Sequence, residues 1–431
     1  MSSKLTFNGW PLLVLLVILL VAQIMAPSNV WLTLIVALST ALAACWFWAR
    51  LMQAHVRLTR EKRYTWTRVG DRLEERFTLQ NNGPLPVLWA EIDDHSDVPG
   101  YNPKRVTGVE SDSNNQWTVA GICHQRGVFN LGPTTLRLGD PLGFFAVTQF
   151  NPVTVPLLVL PPVLDLPGIQ VAPGGQVSEG RPRPYAPQPT ILATSVRPHM
   201  PSDSLRLIHW PTSARRDNLF VRTFDGSPTG NWWIILDLEN RVHYGEGDDS
   251  TLEQAITLAA SLLENGLEDG HAVGLIAHGT DPIWIPPARG QAQRWAVLRQ
   301  LATTEAGIYP LRALLQRAGD SLGHSASVIV ITPAPNAAWL EPLLLLKQRD
   351  LVPTVMLLTG DPQHLEANRA GKETFLQLLL QQGLTAYLLE PELLKPTLDP
   401  AQAQGRWQWV TSALGRAVAK HRPQGEWEVM Q

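Results

Sequence analysis

The chain has 431 residues, with 35 Lys and Arg against 38 Asp and Glu and a formal net charge of −3. Its length calls for two or three domains, and its charged fraction of 17% lies well below the roughly 25% of a soluble globular chain. Disorder throughout and a wholesale basic nucleic-acid binder are excluded, and 2 cysteines exclude a disulfide scaffold, a four-cysteine zinc module or a cysteine-ligated iron–sulfur cluster.

Residues 11–49 contain no Asp, Glu, Lys or Arg. Two apolar runs, 10–26 and 30–49, are divided by the turn signal Pro27-Ser28-Asn29. A hydrocarbon core of about 30 Å takes about 20 helical residues, so residues 1–63 are expected to form a two-helix transmembrane hairpin with a basic juxtamembrane segment. Trp10, Trp31, Trp46 and Trp48 sit near the ends of the runs, where amphipathic rings favour the headgroup layer. The alternative is a signal peptide cleaved near Ala26. It fits poorly, because Ile24 is bulky and a second apolar run follows at once. Lys4 precedes the hairpin, Arg50, Arg57, Arg60, Lys62 and Arg63 follow it, and the turn carries no charge. The positive-inside rule then places both termini in the cytoplasm.

Residues 64–165 alternate as short strands, at 76–80, 85–92, 117–123, 128–131 and 135–138, with turn clusters such as Asn81-Asn82-Gly83-Pro84 between them. This spacing predicts an antiparallel β-sandwich. Cys123 and His124 are adjacent on a strand and point to opposite faces, so they form no catalytic pair, and a buried Cys beside an exposed His is expected. Residues 166–230 form a Pro-rich connector followed by a motif-bearing segment.

From 231 to 431 the pattern becomes α/β. Strands are expected at 232–238, 272–277, 327–332, 353–359 and 385–389, and helices at 291–301, 336–349, 375–382 and 408–420. Ser250 and Glu253 make a capping box for a helix whose stripe is Leu252, Ile256, Ala259 and Leu263. An open, mostly parallel sheet follows, and such sheets bind ligands at the carboxyl ends of their strands.

The segment from Val196 to Arg215 carries Pro201, Asp203, Arg206, Ile208, His209, Trp210, Ser213, Ala214 and Arg215, followed by Leu219 and Val221. Upstream stand Arg126-Gly127 and Asp140-Pro141-Leu142-Gly143-Phe144-Phe145. These residues resemble the signature and landmarks of the bacterial family called domain of unknown function 58. Ser202, His199 and Pro211 depart from its Gly, Tyr and Lys. The resemblance implies a membrane α-hairpin, a β-sandwich and an α/β von Willebrand factor A-like domain in the bacterial inner membrane. It also implies a non-enzymatic adapter whose partners are a MoxR-type AAA+ ATPase and a transglutaminase-like membrane protein. A lipid bilayer is a further partner, and nucleic acid is not.

Arg197, Arg206, Arg215, Arg216 and Arg222, interspersed with Asp203, Asp217 and Asp225, offer forks for an acidic partner or anion. The alternative is an internal latch, with Asp203 paired to Arg206 and His209-Trp210 packed into the domain junction. In a von Willebrand factor A domain an Asp-x-Ser-x-Ser motif holds a divalent ion. Here Asp237 keeps the first position, Glu239 and Arg241 replace the serines, and Thr332-Pro333-Ala334 lacks the distal Asp. No metal or other cofactor is therefore expected, and Asp237 is expected to cap a helix or pair with Arg241. No Gly-rich phosphate loop, His-Glu-x-x-His or Gly-x-Ser-x-Gly occurs. The competing enzymatic reading is a membrane-bound hydrolase using His209 with Asp203 or Asp237. Net charge alternates along the chain, +5 over 1–63, −4 over 64–165, +3 over 166–230 and −7 over 231–431, which favours a scaffold.

Overall fold

The computed structural model describes residues 2–166, 168–172, 195–198, 208–216, 218–223, 231–322, 326–360, 365–395, 408–411, 417–421 and 427–430. These fall into two compact units. One is built on Met1–Pro162 with the last part of the chain, the other on Val163–Gln300 and Thr304–Lys395.

The first unit opens with a strand the sequence did not announce, β1 (Ser2–Phe7), followed by α1 (Trp10–Met25) and α2 (Asn29–His55). Ser28 caps α2, its hydroxyl accepting the Val30 N–H at 3.1 Å. The second helix runs past the predicted residue 49 because Cys45, Ala49 and Met52 form a stripe at helical spacing that is buried against the sandwich. Ala49 and Met52 share one core with Phe77, Leu79, Ala90, Ile92, Leu136, Leu138 and Val147. The base of the helix is thus part of the sandwich rather than a tether attached to it.

The strands that follow are β2 (Val56–Lys62), β3 (Trp66–Arg68), β4 (Arg72–Asn81), β5 (Val87–Asp94), β6 (Arg105–Val109), β7 (Ser113–Ile122), β8 (Gly127–Leu131), β9 (Thr134–Gly139), β10 (Phe145–Asn151) and β11 (Val155–Leu160). They form sheets ordered β1-β10-β9-β5-β6 and β3-β11-β8, with β2-β4-β7 making most of a third. All pairings are antiparallel except β3 with β11. Alternation is plain in β2, where Val56, Leu58 and Arg60 turn inward and their neighbours face outward. Cys45 and Cys123 are both free and buried, and His124 is exposed, as expected.

The inward Arg60 is held by a complete set of partners. Its Nε and Nη2 donate to Glu75 at 3.0 and 2.6 Å, and Nη1 donates to Asp94 at 2.6 Å and to Thr134 at 3.1 Å. Nη2 also donates to Ser96 at 3.0 Å, and the Tyr101 hydroxyl donates to Glu75. A buried fork pairing with two buried carboxylates is tolerable only because each polar atom is matched.

Among the described residues, the first paired strands of the second unit are β12 (Ser195–Pro198) and β13 (Phe220–Thr223), around the short helix α3 (Trp210–Arg216). Then come β14 (Asn231–Leu236), α4 (Thr251–Glu268), β15 (Ala272–His278), β16 (Pro282–Ala288), α5 (Gln291–Thr303), α6 (Leu311–Ser321), β17 (Ser327–Thr332), α7 (Leu340–Gln348), β18 (Val352–Leu358), α8 (Leu365–Gln381) and β19 (Thr385–Leu389). The sheet order is β16-β15-β14-β17-β18-β19, parallel except for β16 at one edge. This is the doubly wound, von Willebrand factor A-like arrangement. Its central strands β14, β15 and β17 are almost continuously buried, as strands covered on both faces must be. The capping box stands: Ser250 Oγ accepts the Glu253 N–H at 3.2 Å.

Three expectations need correction. The region 408–420 is not one helix: β20 (Gln408–Thr411) pairs antiparallel with β21 (Ala417–His421), in keeping with the β-branched Val410, Thr411 and Val418. The α/β domain does not reach residue 431. Its described part ends at Lys395, and β22 (Glu428–Val429) adds to β2 in the first unit, with Met430 buried and Arg76 lying 4.1 Å from the Trp427 ring. Finally, α8 begins at Leu365 instead of 375.

Candidate functional site

Two neighbourhoods in the second unit bear on function. The first is the signature segment. Ile208 is buried, and the His209 N–H donates to Phe220 O at 2.8 Å, which starts α3 beside β13. Ser213 is the pin. Its hydroxyl donates to His209 O at 3.1 Å and accepts the Phe220 N–H at 2.9 Å, closing the helix onto the strand. His209 Nδ1 lies 2.8 Å from Thr212 Oγ1, so the ring faces its own helix. Trp210 is 66% exposed, and Arg215 and Arg216 are exposed too. The Arg216 guanidinium lies 5.6 Å from the Phe220 ring centre. Within this segment Ser213, rather than the indole, supplies the anchorage. Asp203 and Arg206 lie outside the described residues, and their pairing with them.

The second neighbourhood is the carboxyl edge of the sheet. Asp237, just past β14, is 1% exposed. Its Oδ1 accepts the Glu239 N–H at 3.2 Å and its Oδ2 accepts the Thr332 hydroxyl at 2.7 Å. The expected pairing with Arg241 does not form: that side chain is exposed, and Thr332 reaches Asp237 from the neighbouring strand instead. Burial pushes the Asp237 carboxyl up to about 6, against the lowering effect of these two donors. The carbonyl of Asp237 can only accept, so His243 Nε2, 2.9 Å away, carries the proton, and Nδ1 accepts from Thr251 Oγ1 at 3.1 Å. Burial holds the His243 pKa below its ordinary value.

Next to it, Lys372 of α8 is buried and donates to Leu358 O at 2.7 Å, to Thr359 O at 3.1 Å and to the Tyr244 hydroxyl. Tyr244 in turn donates to Thr359 O at 2.6 Å. Burial lowers the Lys372 ammonium to about 8 and raises the Tyr244 phenol to about 12. This clamp ties the loop after β14 to the loop after β18. It is tight enough that Gly360, at φ +78°, has no room for a Cβ beside the Tyr244 ring. Sequence reasoning missed His243, Tyr244 and Lys372. The available signal was a lone Lys on the apolar side of an otherwise amphipathic helix.

These residues do not suit the divalent ion of a von Willebrand factor A domain. Both Asp237 oxygens accept protein donors, Thr332 spends its proton on Asp237, and Arg241 brings positive charge where a serine would ligate. Among the described residues no cluster of three or more His, Cys, Asp or Glu side chains could hold a metal ion. Nor is the His209 ring joined to Asp237 by a hydrogen bond, because each is committed to other partners.

Residues 195–375 match the family described as protein of unknown function DUF58. Over that segment the chain is similar to DUF58 proteins. The uncharacterized protein YeaD of Bacillus subtilis strain 168 is 24% identical to it over 253 residues. That match takes in 57% of the present chain and 61% of the relative, so the chain spans about three-fifths of that protein's length. Two solved structures also show likeness. An aerotolerance-related membrane protein from Bacteroides fragilis is 17% identical, covering 40% of this chain and 94% of that one at a TM-score of 0.26. A von Willebrand factor type A protein from Catenulispora acidiphila is 13% identical, covering 41% of each chain at a TM-score of 0.24.

Proposed function

We propose that the chain is a membrane-anchored, non-enzymatic adapter that works with a MoxR-type AAA+ ATPase, and with a transglutaminase-like membrane protein, in the assembly of envelope complexes. The observation that carries this reading is the signature helix α3. Its buried Ser213 and Ile208 fix the backbone, while Trp210 and Arg215 stand exposed. Exposed Trp and Arg on a pinned scaffold are the residue types that dominate protein–protein binding energy. Arg206 is assigned to the same contact from the sequence.

The adapter reading draws further support from the carboxyl edge, where Asp237, His243, Tyr244 and Lys372 are turned inward and satisfied by one another or by backbone. A site organised in this way offers no free nucleophile and no ready base. Contact with a partner is accordingly metal-independent in this proposal.

Anchoring rests on the hairpin. Among the described residues one helix, α2, is long and apolar enough to cross a membrane, and α1 is a shorter apolar helix. Their side chains are largely bare, with Ile24 and Met25 about four-fifths exposed and Val30 63% exposed, as lipid-facing residues would be. The strand before α1 and the strand after α2 both belong to the sandwich unit, which favours a two-pass hairpin with both ends on the cytoplasmic face of the inner membrane.

Affinity capture from detergent-solubilised membranes tests the reading. The full chain should recover an AAA+ ATPase, in EDTA as well as in buffer, and the doubly substituted Trp210→Ala, Arg215→Ala chain should lose it at equal protein level. Equal recovery by both chains would remove α3 as the contact.

A further inference from the structure

The loop between β9 and β10 has a construction that neither the sandwich nor the adapter role requires. Asp140 is buried and its carboxylate organises the whole turn. Oδ1 accepts the N–H groups of Leu142 at 3.1 Å and Phe144 at 2.9 Å, and Oδ2 accepts that of Phe145 at 3.1 Å. The Gly143 N–H returns to Asp140 O at 3.2 Å, with Gly143 at φ +74°, a conformation that favours glycine. This bonding leaves Leu142 at the tip, 57% exposed, between exposed Pro141 and Gly143. One exposed leucine is ordinary on any surface, so what this loop meets is decided by where it lies.

The position of the loop identifies that partner. The Asn8 N–H donates to Phe144 O at 2.8 Å, two residues before α1 begins, and the Phe7 and Phe145 rings are 4.9 Å apart. On the other helix, Cys45 is buried, and the Asp140 carboxylate and the Leu142 backbone lie close to its thiol. Cys45 lies five residues before Arg50, the first charge after the apolar run, which at 1.5 Å per residue is about 7 Å toward the lipid side. That is the depth at which interfacial elements rest, about 5–10 Å into the headgroup and acyl boundary. Trp10, Trp46 and Phe47, 68%, 49% and 58% exposed, mark the same end of the hairpin.

We propose that the 140–145 loop is a third membrane contact, with Leu142 seated in the headgroup–acyl boundary beside the hairpin. Two helices alone leave the sandwich free to swing about their roots. A wedge held by Asp140 against both roots fixes its tilt on the bilayer. The inference rests on the membrane-hairpin reading above.

The test uses the full chain reconstituted in phosphatidylcholine–phosphatidylglycerol vesicles, with Cys45→Ser, which keeps a polar group beside Asp140, and Cys123→Ala removing the native thiols. An environment-sensitive fluorophore is attached through Leu142→Cys, through Val36→Cys on α2, or through Val128→Cys on β8, and quenched by lipids bearing a nitroxide near the headgroup or mid-chain. The Leu142→Cys label should be quenched about twofold or more by the shallow nitroxide, the Val36→Cys label by the deep one, and the Val128→Cys label by neither. A Leu142→Cys label no more quenched than the Val128→Cys label, with the Val36→Cys label still quenched, overturns the loop contact and leaves the hairpin standing. Loss of quenching at Val36→Cys as well overturns the hairpin reading itself.

Discussion

Replacing Arg60 by Ala should unravel the sandwich locally more than any surface change. Arg60 is 5% exposed, and its fork binds Glu75, which is fully buried, in two parallel hydrogen bonds while the same guanidinium serves Asp94. Removing it strips both buried carboxylates of their cation, leaving Glu75 with the Tyr101 hydroxyl and Asp94 with Thr134 and Ser96 as donors. Truncating one partner of a buried ion pair costs about 3–5 kcal/mol, mostly from the uncompensated charge left behind. At about 1.4 kcal/mol per factor of ten, opening of β4 becomes roughly 10² to 4 × 10³ times more frequent. Amide hydrogen exchange of the full chain in detergent, followed over β2, β4 and β9, reads this directly. Arg60→Lys keeps the charge and loses the fork, so it should fall between wild type and Arg60→Ala. Protection of β4 reduced less than about tenfold in Arg60→Ala would refute the reasoning, because the network would then contribute no more than a surface pair.

Further outcomes follow from the second unit. Because burial raises the Asp237 carboxyl from 3.8 to about 6, this group favours folding below about pH 4 and loses that contribution as pH rises through about 6. Asp237→Asn should therefore stabilise the α/β unit by about 1–3 kcal/mol near pH 8 and confer no advantage below about pH 4, as read by denaturant unfolding at both pH values. His243 has the opposite sign: its lowered pKa means that stability present above its unfolded value is lost as pH falls, and His243→Gln should flatten that acid limb of the melting profile. Lys372→Ala strips a donor from the Leu358 and Thr359 carbonyls and from Tyr244, at a cost of about 2–4 kcal/mol in thermal unfolding. Ser213→Ala orphans the Phe220 N–H and should cost about 1–3 kcal/mol, seen as faster exchange confined to α3 and β13.

Much of the architecture was legible because it is written in periodicity. The uncharged 11–49 stretch, the two-residue alternation of the sandwich and the buried strands of the α/β sheet each have one physical interpretation. What escaped was set by tertiary context. The strand β1 is six polar and apolar residues with no pattern of its own, and it exists because β10 offers a sheet edge. Three prolines hid β16, which proline permits at a sheet edge. At the candidate site, Asp237, Ser213 and the exposed Arg215 were found from sequence because the motif marked them. A motif fixes which residues matter and not which way a side chain turns. His243, Tyr244 and Lys372 meet only through the fold, from positions 243, 244 and 372, so no spacing could signal their meeting, although Lys372 stood out as a lone cation on the apolar side of its helix.

The proposed contact joins the signature helix to an AAA+ ATPase at the membrane. A photo-crosslinking amino acid placed at Trp210 in the full chain, activated in native membranes, reads that contact without an intermediate step. A crosslinked AAA+ ATPase is expected from position 210 and none from a probe at Val128 on the sandwich. Repeated recovery of no AAA+ ATPase from position 210, with the protein at its normal level in the membrane, would contradict it.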